Sequence, residues 1–295
     1  MTLGGHRTPH LLVAGFALAA LAACDQAADT PETAASASAF VDAAGDTVRF
    51  ETPPSRIVSL VPSVTRTIHE LGQGERLAGR TVYDTAAAVA HLPSVGAGMG
   101  PDYETLIGLR ADLVVYFVGA SDPDTPAQLE RLGLRAFGVR PDRIEDVTAL
   151  YSTFGRILDV EEQGARLAAS LEATLDSVRA ATAERPRVGV SYLLDGDPPW
   201  AAGPDTYIGQ LVELAGGDLL PEDLPPLYAQ VSPESLVTAD IQAVLISGTS
   251  ELDARLSAGR RIEQIPGWVE VPGPELRQAA WVIARAIHPE LSISR

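Results

Sequence analysis

Two stretches, Glu104-Thr-Leu-Ile-Gly-Leu-Arg-Ala-Asp-Leu-Val-Val and Glu234-Ser-Leu-Val-Thr-Ala-Asp-Ile-Gln-Ala-Val-Leu, present one local design twice. In each, a glutamate opens a short helical stretch and an Ala-Asp pair ends it. The apolar runs that follow, Leu113–Tyr116 and Ala243–Ile246, have the uninterrupted, branched character of buried parallel strands. A chain that repeats this order is expected to fold as two matched Rossmann-like α/β lobes with a ligand cleft between them.

The neighbouring sequence extends each lobe. Arg56-Ile-Val-Ser-Leu-Val is a buried strand, broken by Pro62-Ser63 before a helix, Val64–Leu71, that stops at Gly72. Gln128–Leu132, Gly133 and Leu134–Val139 add helix, turn and strand, and Val41–Phe50 forms a hairpin about Gly45-Asp46. From Ile144 to about Glu184 glycine and proline nearly vanish and apolar residues recur at helical spacing, at Leu150, Phe154, Ile157 and Leu158, then at Leu167, Leu171, Leu175 and Val178. This predicts a shorter helix and then a long α-helix, Glu161 to Ala183, joining the lobes, with Gly155 and Gly164 permitting breaks. A helical connector resists bending, so large lobe closure is not expected. The second lobe repeats the scheme with strand Val188–Leu194, a Pro-rich loop through Trp200, helix Tyr207–Leu214, the second glutamate helix, and an outer amphipathic helix Glu275–Ile287.

The 295 residues are 46% apolar and 21% charged, enough to build full cores, and the net charge of −17 disfavours nucleic acid. The single cysteine, Cys24, ends an apolar run that follows Arg7, the layout of a secretory signal peptide. Leu21-Ala22-Ala23-Cys24 resembles a bacterial lipobox, which implies cleavage before Cys24, lipidation of its sulfur, and a membrane-anchored, extracytoplasmic protein in the cell envelope. The expected organisation is a signal peptide over 1–23, a lipidated flexible tether over 24–39, an N-terminal lobe over 40–143, connecting helices over 144–185 and a C-terminal lobe over 186–295.

Catalysis finds little support. Beyond the signal region the histidines are His69, His91 and His288, no Gly-x-Ser-x-Gly turn is present, and neither thiolates nor closely spaced histidines suggest a metal site. Gly96-Ala-Gly-Met-Gly-Pro lacks the Lys-Ser/Thr of a phosphate loop and reads as a tight turn. No catalytic residue, metal or cofactor is assigned. Aromatic residues make up only 5% of the chain, yet Tyr83, Trp200 and Tyr228 all fall in loops at the same end of expected strands, where open α/β sheets bind ligands. Each taken singly also suits a local core plug. A glutamate near a helix start is favoured by the helix dipole alone, by about 0.3–1 kcal/mol; two at matched positions suit a pseudo-symmetric partner with two basic sites.

Arg56-Ile-Val-Ser-Leu-Val-Pro-Ser-Val-Thr, Leu71-Gly72, Tyr83-Asp84, Leu92-Pro-Ser-Val-Gly96 and Glu104 through Ala111-Asp112-Leu-Val-Val together resemble the helical-backbone (class III) substrate-binding proteins of ABC importers, most closely those that bind cobalamin. The resemblance runs from about Phe40 to the end. It implies a monomeric binding protein in which Tyr83, Trp200 and Tyr228 grip the ligand and Glu104 and Glu234 dock on arginines of two permease subunits. Within the same fold, a ferric siderophore or haem is the alternative ligand, with Arg80 and Arg140 as its candidate partners. From another class, a scaffold lipoprotein of the envelope would keep the fold without a pocket. The chain departs from the family between Trp268 and Pro272-Gly-Pro-Glu-Leu, where another loop and strand are usual, so the second lobe's last strand is in question.

Overall fold

The computed structural model describes residues 38–119, 122–248 and 254–291. The hairpin comes first, β1 (Ser38–Val41) paired antiparallel with β2 (Thr47–Phe50), and it begins two residues ahead of Phe40. The first lobe then runs β3 (Ile57–Ser59), α1 (Pro62–Glu70), β4 (Leu77–Gly79), α2 (Tyr103–Gly108), β5 (Leu113–Phe117), α3 (Asp124–Arg131) and β6 (Ala136–Val139). Its sheet is parallel throughout, in the order β4-β3-β5-β6. Apolar side chains on both faces explain the continuous hydrophobic strands: Ile57, Leu113 and Val115 pack under α1, and Val58, Val114 and Tyr116 form the other core with Leu106 of α2 and Leu129 of α3.

Two helices, α4 (Ile144–Ile157) and α5 (Glu161–Thr182), join the lobes. The 22 residues of α5 span about 33 Å at 1.5 Å per residue. Leu150, Phe154 and Ile157 of α4 enter the first lobe's core while its Val147 and Tyr151 enter the second's, so α4 is shared between the lobes. Gly155 and Gly164 do not break these helices. They are where α4 and α5 meet: a Cβ on Gly164 would lie 2.4 Å from the Tyr151 carbonyl oxygen and 3.2 Å from Gly155 Cα.

The second lobe contains β7 (Val188–Leu194), β8 (Trp200–Ala201), α6 (Tyr207–Leu214), β9 (Gly217–Leu219), β10 (Ala229–Gln230), α7 (Pro233–Thr238), β11 (Ala243–Ser247), α8 (Ala254–Ser257), β12 (Arg261–Ile265) and α9 (Leu276–Ile287). Parallel β7, β11 and β12 form its centre; β9 joins the first half of β7 in parallel and β8 the second half antiparallel, with β10 beyond it. The outer parallel strand is β12, upstream of Trp268. Downstream, a 3-10 turn at Gly267–Glu270 leads directly into α9. The two matched α/β lobes and long connecting helix expected from the sequence are therefore present.

The lobes also meet directly. Arg66 of α1 pairs with Glu275 at the start of α9 at 3.0 Å. Glu70 pairs with Arg277 and accepts a hydrogen bond from Tyr151 of α4 at 2.8 Å. Between these pairs a Cβ on Gly273 would stand 3.5 Å from Ser63 Cβ.

Candidate functional site

The carboxyl ends of the strands carry the candidate residues. After β4, Asp84 accepts from the Thr81 amide at 2.9 Å and the Thr81 hydroxyl at 2.7 Å, and both residues are buried. This turn fixes the loop and directs Tyr83 outward, leaving it 62% exposed. In the second lobe the chain doubles back after β7, and Trp200 on β8 comes opposite Leu194. A Cβ on Gly196 would approach the Trp200 ring to 2.9 Å, so the indole rests on a glycine and remains 42% exposed. Gln230 of β10 pairs with Trp200, and Tyr228 stands just ahead of that strand. Tyr228 packs on the second lobe's core, and burial, with Glu270 adding to it, holds its hydroxyl well above the usual tyrosine range. Of the three aromatics, two are therefore presented to solvent and one is largely a core residue.

Sequence reasoning did not single out the acidic groups at the second lobe's strand ends. Asp195 follows β7, and its carboxyl lies against Gly248 at the end of β11, where a Cβ would come within 2.3 Å. Glu270 ends the turn after β12; burial and then the neighbouring Asp195 raise its carboxyl above the ordinary range. Glu270 also acts electrostatically on the buried Tyr192, Tyr207 and Tyr228 hydroxyls. The Tyr207 hydroxyl donates to the Val269 carbonyl at 3.1 Å, and the buried Tyr192 and Ser247 hydroxyls lie beside one another. Asp195 stands just past an expected strand, whereas no strand was expected ahead of Glu270 and no sequence signal marks it.

Arginines at these ends are mostly engaged. Arg140 pairs with Asp142 at 2.5 Å, and Arg143 with Asp205 at 2.9 Å as well as with Glu145. Arg80 donates to the Thr81 carbonyl at 2.9 Å. Among the described residues no group of three or more His, Cys, Asp or Glu side chains is placed to hold a metal ion. His69 and His91 are exposed and His288 is buried behind α9. Cys24 lies outside the described residues.

Glu104 and Glu234 are exposed on α2 and α7, each six residues long and each preceding a central strand of its lobe. Asp102 caps α2 by accepting from the Thr105 amide, and Ser232 caps α7 by accepting from the Ser235 amide. Leu106 and Leu236 anchor the two helices in the cores. Three residues after each glutamate stands an aliphatic side chain, Ile107 at 49% exposure and the half-buried Val237. The far ends are held by arginines from unmatched positions: Arg56 donates twice to the Leu109 carbonyl, at 2.9 and 2.7 Å, and Arg260 to the carbonyls of Val237 and Ala239 at 2.8 and 3.2 Å. The two glutamates differ in one respect, since Arg255 approaches Glu234 at 3.7 Å.

The sequence pattern described as periplasmic binding protein matches residues 57–270. A cobalamin-binding protein of Halobacterium salinarum is 31% identical over 229 residues, covering 74% of this chain and 60% of that protein, so the chain spans somewhat less than two thirds of this relative. A vitamin B12-binding protein of Yersinia pestis is 25% identical over 205 residues, covering 69% and 73%. Among solved structures, the periplasmic heme-binding protein RhuT of Roseiflexus sp. RS-1 superposes with a TM-score of 0.68 at 25% identity, covering 80% of this chain and 98% of that one.

Proposed function

The chain belongs to the periplasmic binding protein family, a family of binding proteins rather than enzymes, and from that premise we propose that it captures cobalamin between its lobes and delivers it to an ABC permease. One observation carries this reading. In a chain that is only 5% aromatic, each lobe holds out one large aromatic at its strand carboxyl ends, Tyr83 from a loop braced by Asp84 and Trp200 from a ribbon resting on Gly196. Flat faces at low entropic cost suit a broad macrocycle. The names of the Halobacterium and Yersinia relatives support the same ligand. Anchoring through lipid on Cys24, on the extracytoplasmic side of a membrane, belongs to this proposal.

Calorimetric titration of the purified protein with cobalamin, and in parallel with haem and a ferric hydroxamate, tests it. Saturable one-to-one heat with cobalamin is the expected result; heat with an iron chelate alone would keep the fold and replace the ligand. That second reading rests on Arg80, which has no carboxylate partner among the described residues and would suit an anionic chelate. Arg140 supports it less, its charge being met by Asp142. Silence with all three ligands, and no ligand-induced rise in melting temperature, would favour an envelope scaffold.

Docking is assigned to Glu104 and Glu234, whose helices are each capped by a side chain, anchored by a buried leucine and followed by an aliphatic residue three positions on. Glu104→Arg combined with Glu234→Arg is expected to abolish uptake in cells while leaving ligand affinity unchanged. Lost affinity in the purified double variant would contradict this division of labour.

A further inference from the structure

The two glutamate helices match residue by residue, and the ways in which they differ all run in one direction. Burial alternates along both in the same register, so that Glu104 answers to Glu234, Ile107 to Val237 and Gly108 to Thr238. On α2 the Glu104 carboxylate has no cation within ion-pair distance among the described residues, and one turn on Ile107 is 49% exposed. Beside it Gly108 leaves a turn of backbone bare, since an added Cβ would meet nothing within 4 Å. Glycine weakens a helix relative to alanine, and neither a positive φ nor a close approach within this chain calls for it here. On α7 the Glu234 carboxylate has Arg255 at 3.7 Å, Val237 is half-buried, and a threonine stands where α2 has its glycine. The Thr238 hydroxyl is turned back on the Glu234 and Ser235 carbonyls, at 3.0 and 3.1 Å.

We propose that α2 is the primary seat of the docking partner, taking a segment that presents a basic side chain to Glu104 and an apolar one to Ile107 across the bare turn at Gly108. In the same scheme α7 is a secondary, chiefly ionic contact, where the incoming cation displaces Arg255 from Glu234. The inference rests on the docking role of the two glutamates and deepens it, replacing two equal contacts with a ranked pair. An exposed ion pair is weak, so Arg255 holds Glu234 lightly and is exchanged by the partner rather than excluding it. Ile107 contributes only once the partner covers it, whereas the charges act at a distance and are screened by salt.

The test is the initial rate of cyanocobalamin uptake, at a subsaturating concentration, by cells whose only copy of the protein is the wild type or a variant. Glu104→Gln is expected to slow uptake about threefold more than Glu234→Gln, which gives up a carboxylate already partly met by Arg255. Ile107→Asp is expected to slow it about tenfold, the scale of one aliphatic side chain left unburied. Gly108→Leu, whose side chain enters open space in the free protein, is expected to keep the wild-type melting curve and still slow uptake to a similar extent. Arg255→Ala is expected to raise the rate about twofold by freeing Glu234. Equal losses from the two glutamine substitutions would overturn the proposal, as would wild-type uptake with Gly108→Leu. Those outcomes leave the docking reading standing, provided that Glu104→Arg with Glu234→Arg abolishes uptake. Uptake that survives the double charge reversal would instead remove the docking reading, and this inference with it.

Discussion

His288, 3% exposed at the end of α9, shows how a single buried ring can set an acid limit on stability. Burial lowers its pKa below the ordinary histidine value; Glu290, 3.6 Å from Nδ1, partly offsets this, while Arg185 and Arg261 lower it further. The folded state therefore takes up this proton less readily than the unfolded chain. Its contribution is complete above the unfolded pKa of about 6.5 and is lost as pH falls from there through the lowered folded value. Denaturant unfolding is expected to show wild-type stability declining between pH 7 and 5 more steeply than that of His288→Gln. Parallel curves would show that the ring is protonated at no cost. Single residues were also where the sequence said least. Tyr83 and Trp200 stood out because aromatics are scarce, but Glu270 is one carboxylate in a chain with 39 Asp and Glu, and no local pattern sets it apart. Tyr228 carried the same sequence signal as Trp200; only the core of Tyr192 and Tyr207 beneath it decides that it is mostly buried.

Elements were far more legible. Strand Val188–Leu194 and helix Tyr207–Leu214 fall where apolar periodicity and glycine stops place them, because in both cases burial on the core and local turn chemistry agree. The glycines of the connector were less transparent. Gly155 and Gly164 look like interruptions in a helical pattern, yet they serve a crossing too close for side chains, a property of two helices that neither reveals alone. Gly164→Ala is expected to destabilise the protein by about 1–3 kcal/mol, since its methyl would enter the Tyr151 carbonyl. Gly108→Ala, on α2 with nothing within 4 Å of the added Cβ, is the control and is expected to be neutral or slightly stabilising. Equal effects in thermal unfolding would show that the crossing relaxes freely.

At the scale of the whole molecule, helices α4 and α5 are joined by a second link between the lobes, Arg66 with Glu275 and Glu70 with Arg277 and Tyr151. Glu70 and Arg277 lie 207 residues apart in the chain, and no local pattern announces either. Removing Glu70 as Glu70→Ala strands the partly buried Arg277 and the Tyr151 hydroxyl, for an expected loss of about 1–3 kcal/mol. A covalent version tests how much the lobes must move. At Ser63 and Gly273 the 3.5 Å separation of Cβ positions lies within disulfide reach, so Ser63→Cys with Gly273→Cys is expected to oxidise readily. Ligand affinity of the cross-linked form is expected to stay within about twofold of its reduced form; a collapse in affinity restored by reductant would mean that capture needs the seam to open. The capped and arginine-pinned helices α2 and α7 bear on the same question from outside. Each is nailed at both ends, one by Asp102 and Arg56, the other by Ser232 and Arg260. On the docking role proposed for them, Glu104 and Glu234 are the prongs of a plug whose pitch is cut into the protein, and a socket that accepts one prong must be machined to the same gauge to accept the other.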